Sequence, residues 1–165
     1  EETLMLLDDM LETMYDSRGI GLAAVQVGYP YKLVVVDVNW RENEFESREP
    51  YKLINPEIVE TSQENNAYDE GCLSFPDQYS EVIRPETVTI KYLDTKGAEQ
   101  TMQADGLLAT CIQHEIDHTN GINFVDHISK LKRDRIIKKL TKAKKQGRIG
   151  TGSACGDDSC THEHR

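Results

Sequence analysis

Two histidines four residues apart, with a glutamate beside the first, constrain this chain more than any other feature: His114-Glu115-Ile116-Asp117-His118. An α-helix advances about 100° per residue, so positions 114 and 118 share one face, a turn apart, where both imidazoles can reach a single ion. Glu115 then stands at the metal without having to bind it. This is the H-E-x-x-H arrangement: two nitrogen ligands and a carboxylate able to move a proton to or from metal-bound water. The motif supplies no third ligand, and the identity of that ligand separates one class of metal hydrolase from another.

The rest of the pattern surrounds that helix with short strands. Asp105 can cap it, and Asn120-Gly121 stops it after Thr119. Leu4, Leu7, Leu11 and Met14 recur at helical spacing, which predicts an amphipathic helix over 2–16. A β-branched run at 33–38 predicts a buried strand, and 51–59 a second one in which Pro56 marks an edge or a bulge. The polar stretches 41–50 and 63–69 read as loops. Alternating Val88, Ile90 and Tyr92 predict a half-buried strand that turns at Lys96-Gly97 and returns through 101–103. A final helix over 131–146 carries a narrow apolar stripe of Leu131, Ile136, Ile137 and Leu140, and the Gly/Ser/Asp/His composition beyond Gly147 predicts a disordered tail. Strands followed by a buried helix argue for an α+β domain, with antiparallel or mixed sheets around a central metal-binding helix, an N-terminal helix and a basic C-terminal helix. At 165 residues there is room for one domain, at 1–147, with the tail at 148–165.

Charge is unevenly spread. Residues 130–148 hold ten basic residues against one acidic, a local +9, which leaves −19 on the remainder of a chain of net charge −10. An acidic body with a basic arm confines any nucleic-acid contact to the arm. No stretch approaches the roughly 20 apolar residues that span a bilayer. Glu1-Glu2-Thr3 is acidic where a signal peptide is basic, so the expectation is a cytoplasmic protein, with an organelle as the alternative.

Of the four cysteines, Cys72 has the informative setting, between Glu70-Gly71 and Leu73-Ser74 and outside any apolar periodicity. Thiolate binds borderline divalent metals strongly, and one Cys with two His leaves a fourth position open for water. Cys111 competes for the role, but Ala109, Thr110 and Ile112 around it suit a buried small hydrophobe. Disulfides are not expected, since the chain is no cysteine-dense secreted scaffold. Cys155, Cys160, His162 and His164 are read as part of the polar tail rather than as a metal tract.

Three separated blocks, Gly19-Ile20-Gly21-Leu22-Ala23-Ala24-Val25-Gln26, Glu70-Gly71-Cys72-Leu73-Ser74 and Gln113-His114-Glu115-Ile116-Asp117-His118, match in order the motifs of one family. The chain resembles the peptide deformylases, metal hydrolases that remove the formyl group from the initiator methionine of new bacterial proteins. The resemblance runs from the first helix to about Gln146. It implies that Cys72, His114 and His118 hold the metal, that Glu115 is the general acid/base acting with metal-activated water, and that the Gln26 side chain and the Leu73 backbone N–H hold the oxyanion. It also implies Fe2+ as native ion, with Zn2+ or Ni2+ able to replace it. Backbone at Ile20, Gly21 and Gly71 would pair with N-formylmethionyl peptides as an added strand, and Cys111 with His114 would border the methionine pocket. The basic arm would dock on ribosomal RNA.

The family carries a few tens of residues before the first helix, including strand material; this chain begins at Glu1 without them, which would leave a strand edge unpaired. Tyr79 stands where many bacterial relatives have arginine, and Thr119 where leucine is usual. His127 is read as a surface residue and Asp117 as structural. Two rivals stand beside the deformylase reading. A zinc endopeptidase would take a downstream Glu or His as third ligand, and an inactive relative would merely dock on ribosomes; intact Glu115 and Gln26 speak against the latter.

Overall fold

The computed structural model of the chain describes residues 1–40, 42 and 44–148. Helix α1 spans Glu2–Asp16 and leads into β1, Gly21–Ala23, followed by a single 3-10 turn at Ala24–Val27. Strands β2 (Leu33–Val36), β3 (Tyr51–Thr61), β6 (Thr87–Leu93) and β7 (Glu99–Asp105) complete a five-stranded sheet in the order β1-β2-β3-β6-β7. Strands β4 (Asn65–Cys72) and β5 (Phe75–Pro85) form a separate two-stranded ribbon. All the pairings are antiparallel. Helix α2, Gly106–Thr119, crosses the sheet, and α3, Lys130–Lys145, follows a short 3-10 turn at Phe124–Asp126. The expected α+β class therefore holds.

Strand β2 shows why a continuous apolar run was needed. Val34 and Val36 pack with Ala109, Ile112 and Ile116 of α2 on one face, while Leu33 and Val35 meet Leu7, Met10, Leu11 and Met14 of α1 on the other. A strand covered on both faces has no solvated side, so alternation vanishes. Pro56 lies in a bulge: the pairing of β3 with β6 shifts register between Ile54 and Glu57, and β2 has already ended its pairing at Ile54. Proline there interrupts no ladder bond.

Three expectations are corrected. The polar stretch 63–69 is mostly strand, because β4 pairs along its whole length with β5 and backbone bonds, not a buried face, hold it. Asp105 precedes α2, but its side chain makes no capping hydrogen bond. In α3 only Ile136 is buried, while Leu131 and Ile137 are 63% and 43% exposed, so the stripe is narrower than its sequence suggests. Arg148 apart, the segment read as a tail lies outside the described residues.

Candidate metal centre

Three side chains from two elements, β4 and α2, converge at the C-terminal end of α2. Cys72 closes β4 immediately before the tight turn Leu73-Ser74, and its Cα pairs with Phe75. Pairing across the hairpin therefore presents the thiol at a fixed point above α2. His114 and His118 rise from α2, both buried. The Cys72 sulfur lies 3.2 Å from His118 Nε2, and the two histidine Nε2 atoms are 3.1 Å apart. The three donor atoms lie within 4.8 Å of one another and could hold one metal ion. Among the described residues the candidate cluster joins a cysteine to the two histidines, with no downstream Glu or His in it.

The donor chemistry fits a metal. His114 Nδ1 meets Glu70 Oε2 at 2.9 Å, which frees Nε2 for the shared point. Burial pushes the Cys72 thiol up, but hydrogen bonds with His114 and His118 outweigh it and bring the thiol down to about 6. Thiolate is the ligating form. Burial pulls His114 down, while its bonds to Cys72 and Glu70 carry it up to about 10, so metal binding displaces a proton. Burial raises Glu115 to about 7, and its Oε2 is the one buried side-chain oxygen or nitrogen without a hydrogen-bond partner among the described residues.

Sequence reasoning named Glu70 within a motif without giving it a role, and it missed Arg84. Glu70 takes two bonds from Arg84, Nε to Oε1 at 2.6 Å and Nη2 to Oε2 at 3.0 Å. Arg84 Nη1 continues to Asp117 Oδ2 at 2.7 Å, which also meets His127 Nε2 at 2.7 Å. His127 is exposed, as expected of a surface residue, and its ring meets the outer end of this polar chain. Arg84 and Glu70 side chains are each 5% exposed. A buried carboxylate stripped of its cation is expensive, so Arg84→Met is expected to lower stability by about 3–5 kcal/mol. Urea unfolding checks this, and a loss below about 1 kcal/mol would show that the pair contributes little.

A cavity of about 480 Å³ opens over the cluster, and Ile20, Gly21, Gln26, Gly71, Cys72, Leu73, Cys111, His114 and Glu115 all line it. His118 alone of the predicted site residues does not. Gln26 Nε2 points at the Cys72 sulfur at 3.3 Å and at the Ser74 hydroxyl at 3.1 Å, while its Oε1 accepts from the Ala23 N–H. Gly21 must lack a side chain: a Cβ there would stand 2.6 Å from Glu115 Oε1 and 2.7 Å from the Cys111 sulfur. At Gly71 a Cβ would meet the Tyr79 ring at 2.4 Å. Cys111 Sγ sits 3.5 Å from the Ile20 carbonyl, in the buried wall and not among the clustered donors. Among the described residues, Cys72 and Cys111 are free thiols.

The polypeptide deformylase family model matches residues 1–134. A peptide deformylase of Agrobacterium fabrum is 58% identical over 142 residues, covering 86% of this chain and 82% of that protein. The crystal structure of peptide deformylase from Ehrlichia chaffeensis superposes with a TM-score of 0.80 at 43% identity, covering 88% of this chain and 84% of that one. A peptide deformylase from Legionella pneumophila gives 0.80 at 43% identity, covering 92% and 86%. In sequence and in fold the chain is similar to these relatives, and it belongs to the polypeptide deformylase family of hydrolases.

Proposed function

We propose that this protein removes the N-formyl group from the initiator methionine of new polypeptides, holding one divalent metal on Cys72, His114 and His118, with Glu115 as general acid and base. One observation carries the reading: a thiolate and two imidazoles gather beside a buried Glu115 oxygen that has no hydrogen-bond partner among the described residues. When bound, the metal supplies Lewis acidity and makes water nucleophilic near neutral pH. Thiolate with imidazoles suits iron(II), nickel or zinc rather than magnesium or calcium, and we assign iron(II) as the working ion.

The protein's own groups then divide the work. Glu115, poised at about 7, takes the proton from the attacking water and returns it to the departing amine as the formyl C–N bond breaks. Gln26 Nε2–H and the Leu73 backbone N–H are donors for the oxyanion that develops on the formyl oxygen. Gln26→Ala is expected to lower kcat by about 100- to 1000-fold with KM little changed. Steady-state kinetics check it, and a fall below about tenfold would remove Gln26 from this role. β1 is an edge strand, so the peptide can join it as an added strand, with Gly71 on the opposite wall. Its methionine side chain then enters the cavity against Cys111 and His114.

The decisive assay is anaerobic, with formyl-Met peptides and protein loaded with iron(II) or zinc. Release of formate and a free amine is expected from the iron form. Absence of turnover in both forms would overturn the reading.

No helix is long and apolar enough to cross a membrane among the described residues. A nascent-chain substrate goes with a cytoplasmic site of action, and α3 is the docking arm for ribosomal RNA that its Lys and Arg side chains fit. Ribosome binding is expected to weaken steeply between about 50 and 200 mM salt. Binding that ignored salt, or survived removal of residues 130–165, would discard the arm as the contact.

A further inference from the structure

The stretch 41–50 looks like a surface excursion in sequence, yet its base is tied to the wall of the cavity. Asp37, just past β2, is fully buried, and its carboxylate accepts four hydrogen bonds. Oδ1 takes the N–H groups of Asn39 and Trp40 at 3.0 and 3.1 Å; Oδ2 takes the Tyr15 hydroxyl at 2.7 Å and the Glu49 N–H at 2.9 Å. A buried carboxylate so fully satisfied is a rigid anchor.

That anchor reaches the substrate wall by two routes. The Asp37 backbone N–H donates to the Ile20 carbonyl at 2.9 Å. Its side chain seats Trp40, whose indole Nε1–H donates to the Gly19 carbonyl at 2.8 Å. The Trp40 ring is braced edge-on against Tyr15, with ring centroids 5.2 Å apart. Gly19 precedes β1 and has no cross-strand Cα partner, so the indole is the group that holds its carbonyl. A peptide unit is planar, and fixing that oxygen fixes the whole Gly19–Ile20 plane.

The next residue is the one exposed to substrate. In an antiparallel pair successive residues turn alternately toward and away from the partner strand. Ile20 bonds toward Asp37, and Ala23 sends its N–H to Gln26 and not to β2. Gly21 between them turns its backbone groups to the free edge, where the cavity lies. A wall held at Gly19 and Ile20 presents Gly21 already oriented.

We propose that Trp40, seated by Asp37, is a positioning residue for substrate: it orients the Gly19–Gly21 edge and thereby sets KM. The inference rests on the reading that the formylated peptide pairs with that edge. Cys72, His114 and Glu115 sit on other elements, and Gln26 is held by its own bonds to the Ala23 N–H, Cys72 and Ser74, so loss of the indole bond leaves the chemical step intact.

Trp40→Phe tests it, because phenylalanine keeps an aromatic ring against Tyr15 and removes the N–H together with the five-membered ring that carries it. KM for a formyl-Met tripeptide is expected to rise about fivefold, the worth of one neutral hydrogen bond, with kcat within about twofold. Amide exchange at Asp37, whose proton is held by the Ile20 carbonyl, is expected to quicken in the variant. An active enzyme with unchanged KM, or with kcat falling alongside, overturns the proposal. If wild-type protein has no deformylase activity, the functional reading falls by itself, and the exchange rate at Asp37 alone decides on positioning: no change overturns it. Trp40 is the chain's single tryptophan, so the wild type is its own probe should the variant not fold. Its emission is expected to shift on saturating peptide with a midpoint near KM, and silent emission overturns the proposal.

Discussion

Glu115→Gln is expected to keep its metal and lose turnover by about a thousandfold, within the range that general acid–base groups supply. The side chains are nearly isosteric, and Gln cannot accept or return the proton. Metal retention is expected because the donors are Cys72, His114 and His118, with Glu115 outside the cluster. Metal content by atomic emission, together with single-turnover kinetics, checks both halves. A variant that loses metal and unfolds would make Glu115 structural.

The same substitution carries a stability prediction in metal-free protein. Burial raises the Glu115 carboxyl from 4.5 to about 7, so the folded state binds the proton more tightly than the unfolded state does. Its destabilising effect is absent below about 4.5, grows as the pH rises, and is complete above about 7. Gln, always neutral, escapes it. Apo Glu115→Gln is therefore expected to be more stable than apo wild type by a few kcal/mol at pH 8 and equal to it near pH 4, as read by urea unfolding. Equal stability at both pH values would mean that Glu115 titrates normally.

Cys72→Ser is expected to weaken metal binding by more than the roughly 10- to 100-fold that loss of a mere supporting partner costs. Serine preserves size at the end of β4, but its hydroxyl stays protonated and is a poor ligand for a borderline ion. Chelator competition measures the affinity, and circular dichroism checks that the β4–β5 ribbon is intact. Wild-type affinity would revive the endopeptidase alternative, in which the third ligand is a downstream Glu or His. The Cys111→Ser variant is the control: its sulfur faces the Ile20 carbonyl and lies outside the donor cluster, so its metal affinity is expected to be unchanged.

Local pattern made some elements legible and hid others. The ends of α1 and α2, the bulge at Pro56 and the hairpin at Lys96-Gly97 were readable because each depends on a few neighbouring residues. Strand β4 was not. Its order comes from pairing with β5, up to twenty positions away between Asn65 and Pro85, and its polar side chains give no periodic signal. Arg84 was invisible as Glu70's partner for a related reason: fourteen residues separate them, and only the ribbon brings the guanidinium onto the carboxylate. Trp40 shows the same limit, since it acquires its role from a contact made by folding.

By itself the sequence determined the chemistry available. A helix of 3.6 residues per turn puts His114 and His118 on one face wherever the helix ends up, and the residue types at 72, 114, 115 and 118 already specify thiolate, imidazoles and a carboxylate. Tertiary structure decided how those groups are tuned and presented. Burial and charge pairing shift Cys72, His114 and Glu115, Arg84 holds Glu70 behind His114, and Asp37 with Trp40 aims the backbone wall. Such effects depend on distance through space, and chain neighbours do not encode that distance.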